Sequence, residues 1–210
     1  MIKVVCFDVG GTLLDSDQPG FCTRLSAALG VPINDMRPQL GRHFLTRDRA
    51  QAEALEEFCA EMKVEGVGRL ASALETPPRR VSLYADALPT LDALRGYRLG
   101  VISNVTPWES ADLDALGIGH YFECVLYSFE FGLTKPDARV FREAERRLGA
   151  QPSQSVFVGD SPISDVRGAR EAGWRAVYLR RPAPFRAGPR VEADAVIESL
   201  AELPGVLREF

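Results

Sequence analysis

Five short apolar runs, each followed by a stretch with helical spacing, constrain the fold of this chain more than any other feature. They occupy residues 3–7, 99–103, 124–127, 155–159 and 176–179. Runs this uniformly apolar fit strands covered on both faces rather than half-exposed ones. Helix-like segments at residues 87–95, 108–116, 137–148 and 162–172 separate them. That alternation predicts an α/β fold: a parallel sheet flanked by helices and joined by right-handed crossovers.

Residues 16–85 break the alternation. They hold no convincing strand but several amphipathic helical patterns, at 21–29, 48–62 and 67–74, punctuated by Gly30, Pro32 and Gly66. The division expected is a sheet-bearing core of residues 1–15 and 86–210 with a small all-helical insert of residues 16–85 spliced in after the first strand. A chain of 210 residues can bury a sizeable core in this arrangement. There is no internal repeat, and the Pro-rich basic stretch RRPAPFRAGPR at 180–190 reads as a surface connection.

Composition narrows the partners. A net charge of −4 gives no general attraction to nucleic acid or anionic lipid, so attraction to an anionic ligand has to be local. No apolar run reaches the roughly 18 residues of a membrane span, and the N-terminus runs directly into a strand without a leader, so a cytoplasmic protein, monomer or homodimer, is expected. Cys6, Cys22, Cys59 and Cys124 stand singly among apolar neighbours and read as buried reduced thiols. Of 25 basic residues only Lys3, Lys63 and Lys135 are lysines, so a lysine in a polar motif invites an explanation.

In open α/β sheets, ligands bind beyond the carboxyl ends of the strands, where strand order reverses. The polar residues at those ends are therefore the candidates. The first strand ends in DVGGT, which offers Asp8, Gly10 and Thr12; taken alone, this is equally a turn. The second core strand ends in VISNVT, where Ser103 and Asn104 could cap a helix or meet a phosphate. In GLTKPD, Pro136 disfavours helix at Lys135, and a compact point charge does what a forked guanidinium would do poorly. In VFVGDSPISD, Asp160 and Asp165 lie about one turn apart at a strand end and helix start. Their mutual repulsion calls for a cation, and a hard divalent ion such as Mg²⁺ prefers oxygen ligands of this kind.

In order and spacing, these four segments resemble the haloacid dehalogenase superfamily, most of whose members are phosphatases. LYADALPTL and SFEFGLTKPD add to the likeness, which spans nearly the whole chain. The resemblance implies a Rossmann-like core and makes the insert a helical cap. It also implies that Asp8 is a nucleophile forming an aspartyl-phosphate and that Lys135 neutralises charge on nucleophile and substrate. Thr12, Ser103 and Asn104 would join Lys135 in binding a small phosphorylated substrate. Asp8, the Gly10 carbonyl and Asp160, supported by Asp165, would hold Mg²⁺. Phosphoryl transfer needs mainly positioning and well-placed cations, so chemistry and resemblance agree.

Gly10 departs from the pattern. Phosphatases of the superfamily carry a second aspartate there, a general acid and base whose help is typically worth about 10²–10⁴-fold. Asp15 and Asp17 are candidates to replace it. The expectation is a Mg²⁺-dependent hydrolase of phosphate monoesters; the alternative is a weakly active or non-catalytic phosphate-binding module. Dehalogenases of the superfamily do not keep the metal motif that Asp160 supplies, and a phosphonoacetaldehyde hydrolase would need Lys63 as its cap lysine. Substrate choice should lie in the insert, where Arg42, His43, Arg47 and Arg49 form a basic cluster that could meet a second anion but also suits a solvated helix face.

Overall fold

A computed structural model of the chain describes residues 1–75, 80–181 and 192–210. The last nine residues of the 180–190 connection lie outside that range. Six strands form the central parallel sheet: β1 (Val4–Phe7), β4 (Arg98–Ser103), β5 (Phe122–Tyr127), β6 (Ser155–Gly159), β7 (Arg175–Leu179) and β8 (Ala195–Ile197). A separate antiparallel ribbon joins β2 (Leu14–Ser16) to β3 (Val81–Leu83).

The order in the large sheet is β5-β4-β1-β6-β7-β8. The chain therefore builds outward on one side of β1 and then crosses to the other, which makes the β1 end the reversal point. Both faces of the central strands are covered, as their sequences require. Val5 and Phe7 enter one cluster with Leu91, Val101 and Leu200. Val4 and Cys6 enter the opposite one with Ile102, Phe141 and Phe157. Gly100 permits the close approach of β4 to β1, since a Cβ there would meet Cys6 Sγ at 2.8 Å.

The helix Ala138–Leu148 buries Val140, Phe141, Ala144 and Leu148 along one stripe; Asp137 caps its start by accepting from Arg139 N, and Gly149 ends it in a left-handed conformation. The helices Phe21–Leu29, Arg37–Leu40, Gln51–Met62 and Val67–Leu74 pack on a third cluster of their own, centred on Phe21, Phe44 and Phe58. No helix among the described residues is long and apolar enough to cross a membrane.

Three local expectations differ from the structure. Residues 108–116 are not a helix: one 3₁₀ turn at Pro107–Glu109 stops at an extended Ser110. Asp112 then takes the amides of Asp114 and Ala115 onto its own carboxylate at 3.0 Å each, a local bond that competes with helix. Residues 162–172 form a helix that opens with a wide π-type turn, Pro162–Arg167, before the α turn Gly168–Glu171. Finally, the ribbon places strand residues inside the 16–85 segment, at Ser16 and at 81–83. Three-residue strands carry too little periodicity to be read, which is also why β8 goes unseen.

A polar staple ties the start of the helix Ala87–Ala93 to the far end of the sheet. Asp86 accepts from Arg181 Nη2 at 2.7 Å and Nη1 at 3.1 Å, from Ser199 Oγ at 2.7 Å and from Leu200 N at 2.9 Å. Arg181 also donates to the Thr12 carbonyl at 3.0 Å and covers the Tyr84 ring. Burial works to raise the Asp86 pKa, but the bonds from Arg181, Ser199 and the Leu200 amide outweigh it and hold the carboxyl below its usual range. A depressed carboxyl adds stability above its unfolded pKa, near 4, that is lost as pH falls through the folded value. Asp86→Asn is expected to cost about 2–3 kcal/mol at pH 7. Urea unfolding of both proteins should show that difference undiminished from pH 5 to 8 and shrinking below pH 4.

Candidate active site

Three neighbouring strands deliver polar residues to one edge of the sheet. Asp8 follows β1 and its amide donates to Val158 O at 2.9 Å, which extends the pairing with β6 by one residue and fixes where the carboxylate emerges. Ser103 ends β4, and Asp160 follows β6. The turn after Asp8 closes when Leu13 N and Leu14 N both donate to Val9 O at 2.9 Å, with Gly11 at a φ of 78° that glycine adopts without strain.

Lys135 joins these elements. Its Nζ lies 2.9 Å from Asp8 Oδ1 and 2.8 Å from Asp165 Oδ1, with the Phe157 ring beneath it at 4.6 Å. The side chain is almost wholly buried. Burial acts against its charge, but Asp165 and Asp8 more than compensate and its pKa is raised. Asn104 holds the backbone of this lysine from both sides: its amide nitrogen donates to Lys135 O and its oxygen accepts from Lys135 N, each at 2.8 Å. Those two bonds engage one N–H and one lone pair of the Asn104 side chain that the motif offered to substrate.

Asp165 is the second anchor. One oxygen faces Lys135 and the other accepts from Ser161 N at 2.8 Å. Its carboxylate lies so close over Gly159 that any Cβ there would collide with it. Burial pushes its pKa up to about 6, Lys135 pulls it down, and Asp8 adds to the rise. Asp8, Asp160 and Asp165 each offer a carboxylate oxygen, and these oxygens lie within 4.8 Å of one another. Three carboxylates thus gather where one ammonium pairs with two of them. A donor set of hard, crowded oxygens with surplus negative charge fits a divalent cation.

Two adjoining cavities open above this cluster, of about 210 and about 490 Å³. Asp8, Gly10 and Asn104 line both; Ser103 lines the smaller, Lys135, Asp160 and Asp165 the larger. Thr12 lines neither: it is fully buried, and its carbonyl accepts from Arg181. At Gly10 nothing lies within 4 Å of where a Cβ would stand. Asp15 and Asp17 do not fill the space, being bonded to Tyr84 Oη and Arg80 N in and beside the ribbon. Glu109 is the other carboxylate on the wall of the smaller cavity, but both its oxygens accept from Phe21 N, at 2.9 and 2.8 Å, and Arg24 pairs with it.

The helical segment contributes the opposite wall, and its basic cluster is not part of it. Arg42 pairs with Glu61, and Arg47 and Arg49 with Glu57. His43 is packed between Phe44 and Phe58. Lys63 ends the helix Gln51–Met62 in a left-handed conformation, exposed, and lines neither cavity. Cys22 does line both, yet burial pushes its thiol up to about 12, so it remains an uncharged wall residue. Arg37 is the arginine of the segment that reaches the larger cavity. Nothing in MRPQL distinguished it; only the fold does.

The model for haloacid dehalogenase-like hydrolases matches residues 2–173. The chain is 33% identical to a glyceraldehyde 3-phosphate phosphatase of Methanopyrus kandleri, covering 100% of this chain and 99% of that protein. A phosphoserine phosphatase of Thermus thermophilus is 41% identical over 138 residues, 64% of this chain and 55% of the relative. Among solved structures, a 2-haloacid dehalogenase from Pseudomonas syringae superposes with a TM-score of 0.67 at 30% identity, covering 100% of this chain and 99% of that one. With one family's pattern running through both the sheet and the carboxylates at its edge, this chain belongs to the haloacid dehalogenase-like hydrolases.

Proposed function

We propose that the chain hydrolyses a small phosphate monoester in the presence of a divalent cation, with Asp8 as nucleophile. The observation that carries this reading is the buried Lys135 ammonium between Asp8 and Asp165, on the floor of a cavity that also holds Asp160. The names of full-length relatives, phosphatases of a three-carbon phosphate, support the same class of substrate.

An oxygen of Asp8 attacks phosphorus, and the ester P–O bond breaks with its electron pair going to the departing alkoxide. That oxygen takes a proton from water, because position 10 has no acid to give one. The hydroxide left by that protonation, or a water that passes its proton to it, then adds to phosphorus, the bond from phosphorus to Asp8 breaks with its electron pair returning to the carboxylate, and inorganic phosphate is released. Lys135 keeps one Asp8 oxygen directed and balances charge on the phosphoryl group; Ser103, at the strand end beside Asp8, orients it. Asn104 acts on Lys135 rather than on substrate. A divalent cation would be held by Asp8, the Gly10 carbonyl and Asp160 with Asp165 behind them; Mg²⁺ suits such hard oxygens and supplies, when bound, positive charge against the phosphoryl oxygens.

Asp8→Asn should reduce turnover of a phosphomonoester panel to the uncatalysed level, and Lys135→Met should lower kcat by about 10²–10³-fold. An Asp8→Asn protein with undiminished turnover would remove the nucleophile. Mg²⁺ at about 100 times its dissociation constant should stabilise the protein by about 2.7 kcal/mol, raising the melting temperature by roughly 5–10 °C. Chelation should reverse the shift, and Asp160→Asn should abolish it.

The space at Gly10 gives a sharper test. In Gly10→Asp the new Cβ meets nothing within 4 Å, and the variant should raise kcat on alkyl phosphates by about 10²-fold or more, while changing little with p-nitrophenyl phosphate, whose leaving group needs no proton. If the wild-type chain turns over neither kind of ester with any divalent ion and Gly10→Asp gains activity, the chain is a phosphate-binding module instead.

A further inference from the structure

We propose that Arg37 is a specificity-determining residue that receives a carboxylate on the substrate, so that the preferred ester is a phosphorylated acid. The inference rests on the phosphomonoester reading above and adds which ester the cavity selects.

Arg37 lines the larger cavity together with Asp8, Lys135 and Asp160, so a ligand held at the strand edge lies in the same enclosure as its guanidinium. The group is anchored at two points: Nε donates to Asn34 Oδ1 at 2.9 Å and Nη1 to Ser164 Oγ at 3.1 Å. Both anchors are neutral. Arg37 forms no ion pair among the described residues, unlike Arg24, Arg42, Arg47 and Arg49 of the same helical segment, each of which faces a glutamate.

A half-buried guanidinium with neutral anchors keeps its full charge inside the cavity. Burial and the neighbouring Arg167 both oppose that charge, and Asp165 offsets them only in part. An incoming anion relieves both, and the free edge at Nη2 matches a planar carboxylate oxygen. Ser164 immediately precedes Asp165, so the anchored guanidinium stands beside the catalytic cluster. A ligand held at Asp8 therefore shares one enclosure with Arg37. Ile33, Leu40 and Leu45 also line this cavity, beside the hydroxyls of Thr23 and Ser26. The apolar side chains can exclude water from the pair.

Binding can be measured without turnover in the Asp8→Asn protein with Mg²⁺, by calorimetry with two probes of equal chain length, phosphoglycolate and ethyl phosphate. Phosphoglycolate should bind about tenfold tighter or better. Adding Arg37→Met, or Arg37→Gln as a second variant, should bring it to the ethyl phosphate level while leaving ethyl phosphate within about twofold. That unchanged affinity also shows that the variants are folded. Equal affinities for the two probes, no binding of phosphoglycolate, or an equal weakening of both by Arg37→Met overturns the proposal; the last result would mean that Arg37 holds the transferring phosphoryl group. Unequal binding that Arg37→Met removes, in a wild-type chain that hydrolyses no phosphomonoester, would sustain the anion site and reject the hydrolase.

Discussion

The site depends on keeping one ammonium charged in the interior. Lys135 is almost entirely removed from water, where an isolated cation would be costly. It remains charged because two carboxylates lie within 2.9 Å of Nζ, and neither of them belongs to its own loop. Asp8 comes from the end of β1 and Asp165 from the turn after β6, so the ion triad forms only when the sheet is correctly ordered. Removing either carboxylate leaves a buried charge short of a partner. The geometry of the nucleophile and the correctness of the fold are therefore coupled through one side chain.

Second-tier contacts keep that triad in register. Asn104 fixes the Lys135 backbone with a reciprocal pair of hydrogen bonds, Ser161 N fixes the free oxygen of Asp165, and Gly159 leaves the space that the Asp165 carboxylate occupies. Each is a short polar or small residue within a few positions of a strand end. The rigidity of the sheet is thereby transmitted to three carboxylates that would otherwise repel one another apart. The chain belongs to the haloacid dehalogenase-like hydrolases, and its relatives include proteins named as phosphatases of glyceraldehyde 3-phosphate and of phosphoserine.

Most of the sheet was legible because two-sided burial forces uninterrupted apolar runs: Val4 to Phe7 and Val156 to Val158 could hardly be anything else. Three of the four motifs, at Asp8, Ser103 and Asp160, were legible for a related reason, since polar residues directly after such runs have one edge to go to. What escaped was decided by long-range partners. Glu109 sits in an apparently helical stretch, but it reaches 88 residues back to the amide of Phe21. The Asp86–Arg181 staple spans 95 residues. Asn104 looked like a ligand-facing amide and is engaged instead by a backbone 31 residues away. Among the arginines of the helical segment, local sequence drew attention to residues 42–49, whereas the glutamates that neutralise them come from the following helix and leave Arg37 as the cation facing the cavity.

The ribbon of β2 and β3 clasps the two points where the chain leaves the sheet-bearing half and returns to it, pairing Leu14 with Leu83 and Ser16 with Val81. Both crossings are thereby held side by side in one short ladder of backbone bonds, a few residues along the chain from the turn that carries Asp8.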